Sequence, residues 1–486
     1  MVLSKKRILV FLLISAGLVA CAVGPDFVSL SAPQNAAYLK NGLPKEALIA
    51  DGKSQSLISG TISDSRWWEM FKADSLNAIV DEALKQNASL QASEANLLQS
   101  QDLLRAGYGI FFPQVSARLG ASRNSIAPIE SGLPSSGSIF NLSTASANVS
   151  YVLDVFGGER RQVETLRAQV DFQKYSTDAA YLILSANVVN TSIARAAYLE
   201  QIKSTEELIA LEKDQLKVAQ AQVTGGTAAY ATVLSIQTLI AGNEASIAPL
   251  RQRVSQAEHL LAVLEGVDPS HVNLSDITLE SLTLPSDIPV SLPSELVRAR
   301  PDILAAEAQM HVASADVGVA TANMYPSISL NAGYGVANNS FASLSGPSQQ
   351  FWTIGPSINI PIFAGGSLYY AKQAAIDAYQ QTQASYRQTV LTAFSQVADC
   401  LTALEHDAQA LQGQLDARRY AADALKLQQI SYNAGLVDYL SVLVADVQYH
   451  QASIAYLQAL AQRYQDTVAL YVALGGGWKV AENTIH

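Results

Sequence analysis

Side chains able to do covalent or acid–base chemistry are scarce in this 486-residue chain. There are two thiols, Cys21 and Cys400. His259, His271, His311, His406, His450 and His486 are scattered, with no His-Glu-x-x-His pair and no nearby cysteine, so no zinc-ligand spacing is present. Glu405-His406 is the closest acid–histidine pair, but neighbouring helix positions do not face each other. No Gly-x-Ser-x-Gly elbow and no Walker loop occur. The Gly157-Gly158 and Gly365-Gly366 pairs lack phosphate-loop spacing and fit strand-to-helix turns. The pattern argues against an enzyme and implies no cofactor or metal. It leaves a cysteine near the N-terminus, Cys21, as the group to account for.

Lys5-Lys6-Arg7 followed by the apolar run Ile8–Val19 reads as a secretory signal over residues 1–20, too short to span a membrane permanently. Leu18-Val19-Ala20 directly before Cys21 resembles a bacterial lipobox. That resemblance implies cleavage before Cys21 and a covalent lipid on its sulfur. Cys400 is then unpaired and no disulfide framework exists. Ala22 is not the aspartate that retains such lipoproteins in the inner membrane, which favours the outer membrane.

Charged residues make up 15% of the chain, against a typical ~25%. The net charge is −11, and loss of the basic leader makes it more negative, which argues against a nucleic-acid partner. No later apolar run approaches the ~20 residues of a membrane helix, so a membrane-spanning form must be a closed barrel.

The chain is an internal duplication. Glu94, Phe112-Pro113 and Val115 recur as Glu307, Tyr325-Pro326 and Ile328. Leu153-Asp154-Val155-Phe156-Gly157-Gly158 recurs as Ile360-Pro361-Ile362-Phe363-Ala364-Gly365-Gly366, and Gly226 and Tyr230 recur as Gly435 and Tyr439. Each half reads helix, strand, strand, long helix, tight turn, returning helix. The expected division is a lipidated extended segment over 21–62, a first repeat over 63–266, a linker over 267–293, a second repeat over 294–474 and a tail over 475–486. Residues 22–62 read as irregular, the linker as only partly ordered in regular structure, Trp67 and Trp68 as buried anchors, and about 75–108 as one helix.

Alternating segments at about 113–123, 142–155, 327–336 and 350–362 have the length of tilted transmembrane strands. Long helical hairpins follow, at about 158–266 and 366–474. Between Gly158 and Thr224 there is no proline or glycine, enough for roughly 100 Å of helix. Ile202, Ile209, Leu216 and Val223 step by heptads, as do Val233, Ile236, Ile240, Asn243 and Ile247 on the returning helix, which is a coiled-coil seam. A soluble pair of hairpins would show the same alternation. If the strands enter a membrane, four cannot close a barrel and open edges are not tolerated in lipid, so the chain must then oligomerise, with about 8, 12 or 16 strands for two, three or four copies. A tube of this kind is a conduit.

Several motifs together resemble the TolC-like outer-membrane efflux factors, in the lipoprotein branch (NodT/OprM-like) that serves resistance-nodulation-division pumps. They are Cys21 with Val23-Gly24-Pro25-Asp26-Phe27, Trp67-Trp68, the stretch Arg298–Glu307, Tyr325-Pro326, Pro361–Gly366 and the closing Ala473–Trp478. The resemblance implies a mixed α and β membrane protein acting as a homotrimer. Its twelve-stranded barrel would be continuous with a periplasmic coiled-coil tunnel that meets an adaptor and an inner-membrane pump. It further implies closure near the second helical turn, with Tyr432, Asp438 and Asp446 as gate candidates. Val437, Ser441 and Val444 stand where relatives can carry acids. Thr224, Gly225, Gly226 and Thr227, with Gly435, Leu436 and Val437, become the tips that face pump and adaptor. The implied function is the passive exit duct of a tripartite efflux pump for small molecules such as drugs. A type I protein-secretion duct and a non-pore periplasmic coiled-coil lipoprotein are the alternatives.

Overall fold

The computed structural model describes residues 22–31, 37–40, 42, 48–62, 65–126, 138–271, 274, 276–347 and 349–477. The expected signal, Cys21, residues 127–137 and most of the expected tail, from residue 478, lie outside the described residues. In chain order the elements are β1 (Leu48–Ala50), β2 (Lys53–Ser59), α1 (Asp74–Gln86), α2 (Ala88–Gly107), β3 (Gln114–Ile126), β4 (Ser138–Leu153), α3 (Gly158–Thr224) and α4 (Tyr230–Glu265). They continue with β5 (Asp287–Val290), α5 (Pro293–Leu296), α6 (Pro301–Ala322), β6 (Ser327–Asn338), β7 (Gln349–Asn359), α7 (Ser367–Asn433) and α8 (Tyr439–Ala473). Two compact units result, one built around residues 97–173 and 306–386, the other around 31–96, 174–305 and 387–486.

The first unit holds an antiparallel sheet in the order β3-β4-β6-β7. Its register sorts the alternating residues onto two faces. One face carries the rows Val115/Val149/Ala332/Ile354 and Ala117/Ala147/Tyr334/Trp352. The other carries Gln114/Ser150/Asn331/Gly355 and Ser116/Asn148/Gly333/Thr353, and there Ser150 Oγ donates to Asn331 Oδ1 at 2.9 Å. The apolar face is uncovered in the single chain: Val115 is 74% exposed, Trp352 72% and Ile354 68%. A contiguous apolar face of this kind requires a partner other than water. Among the described residues the outer edges of β3 and β7 have no strand partner within the chain.

The N-terminal stretch of this unit straps onto the start of α3. Val23 N donates to Phe156 O at 3.0 Å, and Arg161 bonds Asp26 at 2.6 Å and Glu164 at 2.7 Å. Glu164 also bonds His311 Nε2 at 2.9 Å, and Phe27 stacks on the His311 ring at 4.3 Å.

The second unit is the helical one. Trp67, Trp68 and Phe71 are fully buried, and Trp67 Nε1 donates to Ser185 Oγ at 3.2 Å. The seam residues Ile202, Ile209, Val233, Ile236, Ile240 and Ile247 pack with Val442 and Leu443 of α8, so both hairpins share one apolar core.

Two expectations need correction. Residues 22–62 are not wholly irregular, because β1 and β2 join β5 of the linker in a three-stranded sheet. β2 and β5 pair in parallel with Leu57 opposite Ile288. Arg463, fully buried on α8, donates to Leu48 O at 2.8 Å and to Gln55 Oε1 at 2.9 Å, so neutral acceptors solvate its charge. The strands are too short for local periodicity, and their partners lie far apart in sequence. The helix expected over 75–108 is also two helices. Asn87 is extended (φ −61°, ψ 120°); its Oδ1 accepts from Leu90 N at 3.0 Å, while its Nδ2 donates to Leu264 O at 2.9 Å. One side chain thus caps α2 and ties it to the end of α4.

That tie predicts a difference between two glycines of the same conformation. Gly266 has φ +74°, and a Cβ there would meet Gln86 O at 2.5 Å; Gly226 has φ +75° with nothing within 4 Å. Left-handed backbone costs an alanine about 1–2 kcal/mol at either site. Gly266→Ala adds a backbone clash, so it should lower the thermal midpoint in detergent more than Gly226→Ala. Equal shifts would count against the close packing of α1 on the end of α4.

Candidate functional site at the helical turns

The two turns are built alike. After α3, Gly226 N donates to Val223 O at 3.0 Å and Thr227 N to Gln222 O at 2.9 Å. After α7, Gly435 N donates to Tyr432 O at 2.8 Å and Leu436 N to Ser431 O at 2.9 Å. Both are Schellman motifs, in which a glycine at positive φ lets the chain reverse while the last carbonyls stay bonded. Gly226 and Gly435 supply that φ, at +75° and +74°. Thr224, Gly225, Gly226, Thr227, Gly435 and Leu436 are exposed, Leu436 at 78%, and Val437 is half-buried.

The three gate candidates fall into different environments. Tyr432, near the end of α7, donates from Oη to Gln222 Oε1 of α3 at 2.7 Å. Its ring meets Tyr439 edge-on at 5.3 Å, and Tyr439 Oη bonds Gln215 of α3. Asp438 is the N-cap of α8, its Oδ1 accepting from Ser441 N at 3.1 Å and Ser441 Oγ at 2.7 Å. Those bonds hold its carboxyl below the usual range, so it is ionised at the positive end of the helix dipole. Asp446 is 3% exposed and lies inside the chain's own helix packing, not on an exposed helix face. Burial pushes its carboxyl up to about 6.

Sequence reasoning missed the residues that answer these. Gln222, Gln215 and Glu212 form one stripe on α3. Glu212 is fully buried and accepts from Asn243 Nδ2 of α4 at 2.7 Å. Burial, opposed by that bond and reinforced by Asp446, raises its carboxyl to about 7. Burial, with Asp446 and Glu212 nearby, also raises the Tyr439 hydroxyl. The signal was present: Glu212 follows Ile209 by three and precedes Leu216 by four, so it occupies a seam position, as Asn243 does. Polar residues there trade stability for register.

Among the described residues no group of three or more metal-ligating side chains is found, and no helix is long and apolar enough to cross a membrane. The site can do mechanical work: two tyrosines on the second hairpin hold two glutamines on the first.

Loss of the Tyr432 hydroxyl should be felt only while its acceptor is present. A double-mutant cycle of Tyr432→Phe and Gln222→Ala, read by thermal or denaturant unfolding, should return a coupling of about 0.5–1.5 kcal/mol. Additive effects would mean that the contact does not hold the hairpins together.

A family model described as "Outer membrane efflux protein" matches residues 79–267 and 292–476. Nodulation protein T of Rhizobium leguminosarum bv. viciae is 29% identical over 469 residues, covering 94% of this chain and 91% of that protein. The pyoverdine export outer membrane protein OpmQ of Pseudomonas aeruginosa is 28% identical, covering 96% of both. Among solved structures, the outer-membrane channel OprN superposes with a TM-score of 0.83 at 27% identity, covering 94% of this chain and 100% of that one.

Proposed function

Since the chain belongs to the outer membrane efflux protein family, we propose that three copies of it close one barrel and that the second helical turn is the closure of the duct they form. The protein is an outer-membrane efflux channel, and it works with a periplasmic adaptor and an inner-membrane transporter in a tripartite pump.

The single observation that carries the barrel reading is the four-stranded sheet with one apolar face and two unpaired edges. Each backbone group left bare in hydrocarbon costs several kcal/mol. Pairing β3 of one copy with β7 of the next removes every edge. Three copies make twelve strands, above the eight at which membrane barrels begin. The apolar rows with Val115 and Trp352 then face lipid, and the rows with Asn148 and Ser150 face the lumen. A lipid on Cys21 anchors the N-terminus. Ala22 supports this, because it packs against Gly157 at the turn from β4 into α3, where a Cβ would come within 2.7 Å of Ala22.

The duct does no chemistry on its cargo; it offers a water-filled path. The relatives' names include pyoverdine and toluene as transported compounds, and cations for a third protein. A small-molecule cargo is the reading these favour over protein secretion. Tyr432 and Tyr439 hold α7 and α8 against α3 in the closed form, and separation of those bonds opens the tip. Asp438 acts as the cap that keeps the first turn of α8 formed, and the exposed residues Thr224–Thr227 and Gly435–Val437 are offered to the adaptor and pump.

Native mass spectrometry of the full-length protein in mild detergent should give a trimer with a lipid-sized mass on each chain. A lipidated monomer would leave the sheet edges open and sink the barrel reading. In planar bilayers Tyr432→Phe should raise single-channel conductance over the wild type; an unchanged value would take Tyr432 out of the closure.

A further inference from the structure

Glu212 and Asp446 are both acids, and both are buried on the seam that joins the two hairpins, among apolar neighbours such as Ile209, Ile240, Val442 and Leu443. Glu212 Oε1 takes its one bond from Asn243, while Glu212 Oε2 and Asp446 Oδ2 have no hydrogen-bond partner. Among the described residues nothing packed around them supplies a compensating charge. On α3 the next residue, Lys213, turns outward and pairs with Glu244 of α4 at 2.6 Å. On α4 the partner is the neutral amide of Asn243. On α8 the near groups are Tyr439, whose hydroxyl burial keeps protonated, and His450 one turn on, whose pKa burial lowers. From α7 comes Tyr432, which meets Tyr439 edge-on.

Two ionised carboxylates without a cation are costly to bury, whereas two neutral ones can share the seam. We propose that Glu212 and Asp446 form a proton-held lock between α8 and the first hairpin: protonated, they let α8 pack on α3; ionised, they drive it off. The lock rests on the reading of the second turn as the closing element, and adds to it the signal that releases it.

The pH window follows from the sites. Burial raises Glu212 from 4.5 to about 7 and Asp446 from 3.8 to about 6. The packed state therefore holds protons that the released state gives up. Its added stability is complete below the unperturbed values and is lost as pH rises through 6 to 7. Alkalinisation loosens the lock and acidification sets it.

Hydrogen exchange of the full-length protein in detergent, followed over the amides of Val442–Asp446 and corrected for the intrinsic rate, reads the lock without needing a pore. Between pH 5 and pH 8 the wild type should open at least about tenfold more often, one decade per pKa unit of difference. The double variant Glu212→Gln with Asp446→Asn, a neutral pair of nearly the same shape, should show no such change. A wild type without pH response, or a variant that keeps it, overturns the proposal. Bilayer conductance at the same two pH values separates the two readings. A rise with pH in the wild type that the variant lacks supports the lock together with the duct. Exchange that responds in a protein giving no channel at all upholds the lock and removes the duct. A conductance response without an exchange response overturns the lock and leaves the duct.

Discussion

A backbone N–H or C=O that faces hydrocarbon has no water to fall back on, and each one left bare costs several kcal/mol. That constraint governs the first unit. Its four strands bond one another fully, yet β3 and β7 each keep a free edge, and one face of the sheet presents Val115, Tyr334, Trp352 and Ile354 to the outside. A single chain in water leaves the face uncovered; a single chain in lipid leaves the edges uncovered. The proposed edge-to-edge closure between copies satisfies both. The short polar side chains of the opposite face, Ser116, Asn148, Ser150 and Asn331, then have a wet lumen to look into.

The helical unit obeys a different economy. Its hairpins are held by an apolar seam, and a seam of aliphatic residues alone would be stronger but less particular about register. The polar residues set into it do the specifying. Tyr432 and Tyr439 reach Gln222 and Gln215 across the hairpins, and Glu212 reaches Asn243 within the first. Each contact is worth about 1 kcal/mol net, small beside the apolar burial. A closure meant to open is well served by contacts of that size. The acids Glu212 and Asp446 go further, because their burial makes the packing depend on their protonation.

The long helices and their turns were legible because their signals are local: an uninterrupted run free of proline and glycine, heptad apolar residues, then a glycine at the reversal. The alternating strands were legible for the same reason, as was their need for partners. The candidate closure was only partly so. Tyr432 could be singled out, but not Gln222, which looks like any surface glutamine until the second hairpin lies against the first. Asp446 reads as one more acid on a helix, and its burial beside Glu212 depends on three helices meeting. Asn87 hides in the same way, since it breaks a helix only because Leu264 O is there to receive its amide.

The sequence by itself determined the repeats, the periodicities and the turns, because each depends on residues a few positions apart. It also determined that four strands are too few, which is a matter of counting. Only the tertiary structure decided that β2 and β5 pair, that Arg463 is buried on the backbone of β1, and that two carboxylates, each with one orphan oxygen, stand on a shared seam. Those outcomes depend on atoms brought together from distant parts of the chain. A buried charge or an orphan oxygen is defined by its surroundings, and no run of neighbouring residues states what those will be.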